Sequence, residues 1–163
     1  MKRQFRLLIL LLACFLLCGC FSKKTATFTK NGISLTLPTY FEDKSGESYG
    51  KDVDFLYTYG GIGFLGIREA RSEFPDGYGE MDLEAYGKYV IFGNGLSCEL
   101  TKKDGFYTFT YEVLAAPEGS LTYVAIVLEG ADAFYTVQGY CLSRFYEENA
   151  VFMWKCLTSV KIA

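Results

Sequence analysis

Closely spaced carboxylates are the groups in this sequence best suited to acid–base chemistry, and they occur as Asp52 with Asp54 and as Glu147 with Glu148. Two carboxylates act as general acid and base only when both reach one pocket. Neighbours in sequence are usually solvated instead. The chain has no histidine, which excludes Ser-His-Asp and Cys-His catalysis and histidine metal sites. We therefore expect a protein that is not an enzyme, with an enzyme of unrecognised type as the third alternative.

Metal and nucleotide sites have weaker support from the residues. Asp76, Glu80 and Asp82 bring three carboxylates close together in sequence, as a calcium site would need. The EF-hand spacing is absent and Asp82 can cap a helix, so a solvated loop is preferred. The glycines of 61–66 do not form a phosphate-binding loop, because no Lys-Ser/Thr follows and the run continues as a strand. No cofactor is predicted.

Three cysteines lie beyond the N-terminal segment, at positions Cys98, Cys141 and Cys156, and permit at most one internal disulfide. Cys141 and Cys156 are predicted at opposite ends of a helix, which rises about 1.5 Å per residue. The distance between their Cα atoms would therefore exceed the ~7 Å limit for a disulfide bridge. A disulfide would therefore join Cys98 to one of the other two, and the sequence leaves open which one. Three free, mostly buried thiols are favoured over a bridge, and zinc lacks any CxxC pair.

The N-terminal segment has the order of charges that is typical of a secretory signal. Met1–Arg6 carries three positive charges, and Leu7–Cys18 is an unbroken run of twelve apolar residues. Such a run is shorter than the roughly 20 residues that span a bilayer. A segment that is removed during export is therefore expected.

The end of the apolar run, Leu17-Cys18-Gly19-Cys20, resembles the bacterial lipobox, in which an aliphatic and two small residues precede a lipidated cysteine. The resemblance implies signal cleavage between Gly19 and Cys20, and palmitate-type acyl chains on Cys20. We expect a signal peptide at 1–19, a lipidated tether at 20–26 and a single α+β domain at 27–163. The predicted location is the extracytoplasmic face of the cell membrane, to which Cys20 binds through its lipid.

The charge of the mature chain bears on its partners. Removal of residues 1–19 leaves 13 of the 16 Lys and Arg residues against 19 Asp and Glu residues, a net charge near −6. Nucleic acid binding depends on clustered positive charge. Nucleic acid is therefore excluded as a partner.

Alternating apolar residues and turn motifs predict two N-terminal hairpins. The first joins Thr25–Thr29 to Ile33–Pro38 through Asn31-Gly32, and the second joins Val53–Tyr59 to Ile62–Ala70 through Gly60-Gly61.

The rest of the chain predicts a helix, an antiparallel meander with one covered face, and a final helix. Asp82 caps the first helix, which runs to about Phe92. The meander strands are Leu96–Leu100, Tyr107–Val113, Leu121–Leu128 and Phe134–Leu142, and the final helix, Arg144–Leu157, places Phe145, Phe152, Met153, Cys156 and Leu157 on its apolar side.

This order of elements resembles the PsbP-like fold, which bacterial lipoproteins of the DcrB type share. The resemblance rests on Ile33–Pro38, on the helix opened by Asp82-Leu83 and on Ser159-Val160-Lys161, and covers residues 25–163. It implies an α+β domain whose antiparallel sheet, made of the two hairpins and the meander, is covered by two helices. It also implies a binding or assembly role without chemistry, and it assigns no site residue.

The leading functional hypothesis is a noncatalytic, membrane-anchored lipoprotein that binds an envelope protein or protein complex. The many tyrosines suit an interface, because each combines apolar area with a hydrogen-bonding tip. The alternative is an extracytoplasmic small-ligand receptor with a Tyr-rich cleft between the segments Phe55–Tyr59 and Pro75–Tyr78. For Phe55, Tyr57 and Tyr59, a core-facing row is preferred to a cleft wall.

Overall fold

The computed structural model describes residues 24–47, 53–115, 117 and 119–162. The predicted signal peptide, Gly19, Cys20 and Asp52 lie outside these ranges. Within them the chain forms strands β1 (Thr25–Lys30), β2 (Ile33–Pro38), β3 (Glu42–Asp43), β4 (Phe55–Tyr59), β5 (Ile62–Ala70), β6 (Thr101–Lys103), β7 (Phe106–Ala115), β8 (Gly119–Glu129), β9 (Ala133–Leu142) and β10 (Lys161–Ile162), and helices α1 (Leu83–Gly93) and α2 (Tyr146–Leu157).

The first hairpin forms as predicted and belongs to a small sheet of its own. Asn31 and Gly32 have φ angles of 49° and 80°, which is the left-handed pair that a type I′ turn requires. On the other edge of β2, Lys161 of β10 pairs with Ser34. Strand β2 therefore has partners on both sides, in the order β1-β2-β10, and the hairpin does not join the large sheet as the sequence had predicted. Strand β1 begins at Thr25, within the range 20–26 that was predicted as the tether.

The second hairpin and the meander form a seven-stranded antiparallel sheet in the order β3-β4-β5-β9-β8-β7-β6. Strand β9 is central because it pairs with β5 along its length, with Ile62 opposite Cys141 and Ala70 opposite Ala133. The α+β class with two helices is therefore confirmed. The sheet brings strands that are far apart in sequence side by side, which is what assembles the site described below.

The first predicted meander strand is wrong in its position. Only Thr101–Lys103 pairs with β7, while the preceding segment 96–100 has no strand pairing. Its apolar side chains pack beside α1 instead, and Leu100 lies close against Gly87 of that helix. The alternating pattern therefore correctly indicated a buried face. The apolar side chains are buried against helix α1, however, and the segment does not pair as a strand.

Both faces of the large sheet are covered, which corrects the prediction of one covered face. In β8, Val124 and Ile126 point to the core beneath α2, whereas Ala125 and Val127 point to the core beneath α1. The near-continuous apolar run of Tyr123–Leu128 is typical of a strand buried on two sides. The prediction followed the alternating strand β7 and overlooked this run.

The two helices begin differently. The side chain of Asp82 accepts a hydrogen bond from the backbone N–H of Ala85 at 2.8 Å, which confirms the predicted cap of α1. Helix α2 follows a 3-10 turn, Ser143–Phe145. Phe145 in this turn is 42% exposed, so its prediction as part of the apolar side was wrong. In the described ranges, neither helix is long and apolar enough to cross a bilayer.

Candidate functional site

A row of three tyrosines crosses the α1-side face of the large sheet. Tyr111 of β7 lies directly opposite Tyr123 of β8, which lies directly opposite Tyr140 of β9. The ring centroids are 5.0 Å apart for the first pair and 5.2 Å for the second. Aromatic pairs at this spacing stabilise neighbouring strands, each by about 0.5–1.5 kcal/mol beyond simple burial. We call this set of three residues the tyrosine row.

The row ends on a glycine that has no room for a side chain. Gly63 of β5 lies opposite Tyr140, and a Cβ at position 63 would stand 2.2 Å from Cζ of the Tyr140 ring. On the other face, a Cβ at Gly66 would stand 2.1 Å from the ring of Phe55. These strand glycines therefore admit aromatic rings, which supports the close-packing interpretation over a phosphate loop.

The tyrosine hydroxyls differ in their partners. Tyr111 donates a hydrogen bond of 2.5 Å to Oε1 of Gln138, whereas the hydroxyls of Tyr123 and Tyr140 bond to no other described residue. Burial raises the pKa of Tyr123 and, together with the nearby Tyr123, the pKa of Tyr140. Both hydroxyls therefore stay protonated near neutral pH and can donate and accept hydrogen bonds.

Beside the row is a half-open pocket of about 430 Å³. Helix α1 packs over Phe109, Ala125 and Val127 of the same sheet face and does not line the pocket. We call this cavity the tyrosine pocket. It is lined by Lys44, Glu47, Val53, Leu56, Thr58, Leu65, Leu121, Tyr123 and Tyr140.

The pocket rim carries charge. Nζ of Lys44 lies 3.4 Å from a carboxylate oxygen of Glu42 and 3.1 Å from one of Glu47. The hydrogen bond to Glu47, followed by the attraction of both carboxylates, raises the pKa of Lys44. The rim therefore carries one positive and one negative side chain, Lys44 and Glu47, around an apolar floor.

The two segments predicted to wall a cleft do not meet. Phe55 and Tyr57 are buried in the α2-side core, as the preferred interpretation held, and Tyr59 is 52% exposed at the end of β4. Tyr78 lies beside Tyr89 of α1, with ring centroids 5.9 Å apart. The residues of β4 that do line the tyrosine pocket alternate with those named from the sequence, and they are Leu56 and Thr58.

Of the two carboxylate pairs named from the sequence, one cannot be placed because Asp52 lies outside the described residues. Asp54 accepts hydrogen bonds from Nδ2 of Asn31 at 2.7 Å and from the backbone N–H of Arg68 at 2.5 Å, so it ties the first hairpin to β5. Glu147 and Glu148 lie exposed in the first turn of α2, where acidic side chains favour the helix dipole. Across the described part of the chain, no group of three or more acidic or cysteine side chains is arranged to hold a metal.

All three described cysteines are free. Cys98 packs beside the α1-side core, whereas Cys141 and Cys156 belong to the α2-side core. The sheet therefore separates Cys98 from both of its predicted partners. Cys141 lies on β9 and not at a helix end, so the distance argument made for Cys141 and Cys156 was wrong.

The tyrosine row was not found from the sequence. Its members come from strands β7, β8 and β9, and each sits in an alternating pattern that reads equally well as a core face. Tyr111 and Tyr123 lie equally far from Pro117 in sequence. This symmetry about a turn is the signal that places them opposite one another.

These elements define an α+β protein with the PsbP-like fold, as comparison with solved structures shows. Cyanobacterial PsbP (CyanoP) from Synechocystis sp. PCC 6803 is similar with a TM-score of 0.57 and 13% identity over 89% of this chain and 96% of that one. The Saccharomyces cerevisiae Ran-binding protein Mog1p is similar with a TM-score of 0.51 and 11% identity, over 86% of this chain and 96% of that one. No protein-family model and no curated protein sequence matches the chain.

Proposed function

We propose that this chain is a lipoprotein held at the extracytoplasmic face of the cell membrane by lipid on Cys20, and that its folded part is a noncatalytic module that binds an envelope protein. The partner contacts the tyrosine pocket. The observation that carries the binding role is the tyrosine row, which lies on a sheet face that α1 covers only in part.

The anchor is supported by the sequence order of charged residues, apolar run and lipobox-like Leu17–Cys20. Each buried CH₂ group of an acyl chain contributes about 0.8 kcal/mol, so two or three chains hold firmly where one would not. An anchored module meets its partner at the membrane surface.

A noncatalytic role is supported by how the candidate acid–base groups are used. The chain has no histidine, Asp54 is committed to two structural hydrogen bonds, and Asp82 caps α1. One solved structure with this fold is that of a protein named for binding Ran. A domain with this fold can therefore bind another protein.

A protein partner suits the tyrosine pocket in size and chemistry. Its volume of about 430 Å³ holds one or two large apolar side chains. Interfaces are enriched in tyrosine around such anchoring positions, with polar residues at the rim. Leu56 and Leu65 supply the apolar floor, and Lys44 and Glu47 supply the polar rim.

The test is photocrosslinking in intact cells from a photoreactive amino acid at Glu47, which lies on the rim. We expect a reproducible protein adduct that is lost in Leu121→Asp, which puts a charge into the pocket, and retained in Leu114→Asp. Leu114 is the matched control because it is 79% exposed outside the pocket. The absence of any adduct in both the wild type and Cys20→Ala, or an adduct that Leu121→Asp leaves unchanged, would contradict the binding role.

A small ligand is the second candidate, because the pocket volume falls within the roughly 300–1,000 Å³ typical of ligand sites. A thermal-shift screen with sugars, peptides and cations separates the two candidates. A ligand at 100 times its dissociation constant adds about 2.7 kcal/mol of stability. A shift that disappears in Leu121→Asp would favour the receptor, and no shift with any compound would leave the protein partner as the occupant.

A further inference from the structure

We infer that the end of the domain formed by Tyr40, Tyr59 and Phe152 rests on the lipid surface, with the two tyrosines at the level of the headgroups. We call these three residues the aromatic end. The inference rests on the proposed lipid anchor and adds a specific orientation of the domain on the membrane.

The aromatic end is assembled from three elements. The ring centroid of Tyr40, in the turn after β2, lies 4.2 Å from that of Tyr59 at the end of β4. Phe152 of α2 lies against Phe41, with centroids 6.2 Å apart. Together with Asn149 they line a shallow cavity of about 310 Å³ at the surface.

The point at which the chain leaves toward the lipid lies beside the aromatic end. Thr39 immediately precedes Tyr40, and its backbone N–H donates a hydrogen bond of 2.9 Å to the carbonyl of Lys24. Three residues lie between Cys20 and Lys24, and the four steps from one Cα to the other span at most about 14 Å when fully extended.

A tether of this length restricts how the domain can turn. A folded body of about 140 residues has a radius of gyration near 14 Å and is roughly 37 Å across. The reach from Cys20 is less than half of that width. The surface next to Lys24 must therefore stay close to the bilayer, while the far end of the domain cannot touch it.

The chemistry of this surface matches the membrane interface. Tyrosine concentrates at the headgroup level, where its ring meets acyl chains and its hydroxyl meets water. Tyr59 is 52% exposed, and no charged side chain lines the cavity among the described residues. Lys24 next to the tether is exposed and can face anionic headgroups.

The test places a tryptophan reporter at the aromatic end and another at the opposite end. Tyr59→Trp and Tyr78→Trp are compared in a Trp154→Phe background, because Tyr59 and Tyr78 are both 52% exposed. The two positions lie near opposite ends of β5, whose nine residues are roughly 27 Å long at the rise per residue of a strand. Lipidated protein is reconstituted in phosphatidylcholine vesicles whose acyl chains carry bromine near the headgroups, a quencher of tryptophan emission.

We expect loss of emission from Tyr59→Trp and unchanged emission from Tyr78→Trp. Tyr40→Trp serves as a second reporter at the same end and should also lose emission. Protein that carries the lipid and floats with the vesicles, but shows no quenching at positions 59 and 40 or equal quenching at position 78, overturns the orientation alone. Protein whose Cys20 carries no lipid overturns the proposed anchor, and the inference falls with it.

Discussion

The contact between Gly63 and Tyr140 allows a sharp test of how the tyrosine row is built. In Gly63→Ala the new Cβ would lie 2.2 Å from the Tyr140 ring, so the ring must move away from its position over Gly63. Overpacking of this kind costs about 1–3 kcal/mol. Replacing glycine by alanine within a strand recovers about 0.5–1 kcal/mol. We therefore expect a net loss of up to about 2.5 kcal/mol in the free energy of unfolding, measured by urea denaturation.

A double-mutant cycle isolates the cause. In a Tyr140→Ala background the ring is absent, so Gly63→Ala should be neutral or stabilising, with a coupling energy of about 1–3 kcal/mol between the two positions. Gly93→Ala is the matched control, because a Cβ there meets nothing within 4 Å and alanine should stabilise the end of α1. An equal cost of Gly63→Ala with and without the Tyr140 ring would refute the close-contact explanation.

Substitutions at two positions, a labelling experiment and a pH series test the packing of the domain. The buried hydroxyl of Tyr86 in α1 donates a hydrogen bond to Glu69 and also bonds to Thr136, so Tyr86→Phe should cost about 1–3 kcal/mol in urea unfolding. An unchanged free energy of unfolding would contradict a stabilising role for these two bonds. Asp82→Ala should cost about 1 kcal/mol by removing the helix cap, while Asp82→Asn, which also caps, should cost little. A thiol reagent should label the half-exposed Cys98 before the buried Cys141 and Cys156. Burial raises the pKa of Cys156 to about 11, above its usual value near 9, so the unfolded thiol ionises first and stability should fall as pH rises through that interval. Equal labelling rates for all three thiols would show that the core is open.

Local turn chemistry explains which elements could be predicted. Asn31-Gly32 and Gly60-Gly61 supply left-handed backbone conformations, so both hairpins follow from a few adjacent residues. The cap at Asp82 is equally local. The place of the first hairpin was not predictable in this way, because it depends on β10 at the other end of the chain.

The tyrosine row depends on register, which the sequence specified less well. Tyr111 and Tyr123 pair about a turn centred on Pro117, whereas the turn predicted over 117–119 is centred one residue later. A turn centred on residue 118 would place Tyr111 opposite Ala125, a shift of two residues that keeps each side chain on its face but separates the two tyrosines. The contact between Gly63 and Tyr140 also needs the long-range pairing of β5 with β9, for which no local pattern exists. The tyrosine row and its contact with Gly63 could therefore be recognised only in the three-dimensional structure.

The anchor depends on the sequence alone and stays a prediction, since Gly19 and Cys20 lie outside the described residues. It determines where the tyrosine pocket can meet a partner and which end of the domain can touch lipid. Cys20→Ala should therefore release the protein from the membrane fraction without changing its urea midpoint.

Mass spectrometry of the N-terminal peptide of the mature protein determines directly whether the lipid anchor exists. We expect a peptide that begins at Cys20 and carries a diacylglyceryl group on its sulfur, with or without a further acyl chain on its amine. A mature chain that begins at another residue, or that has an unmodified thiol at Cys20, would contradict the anchor and the location proposed for this protein.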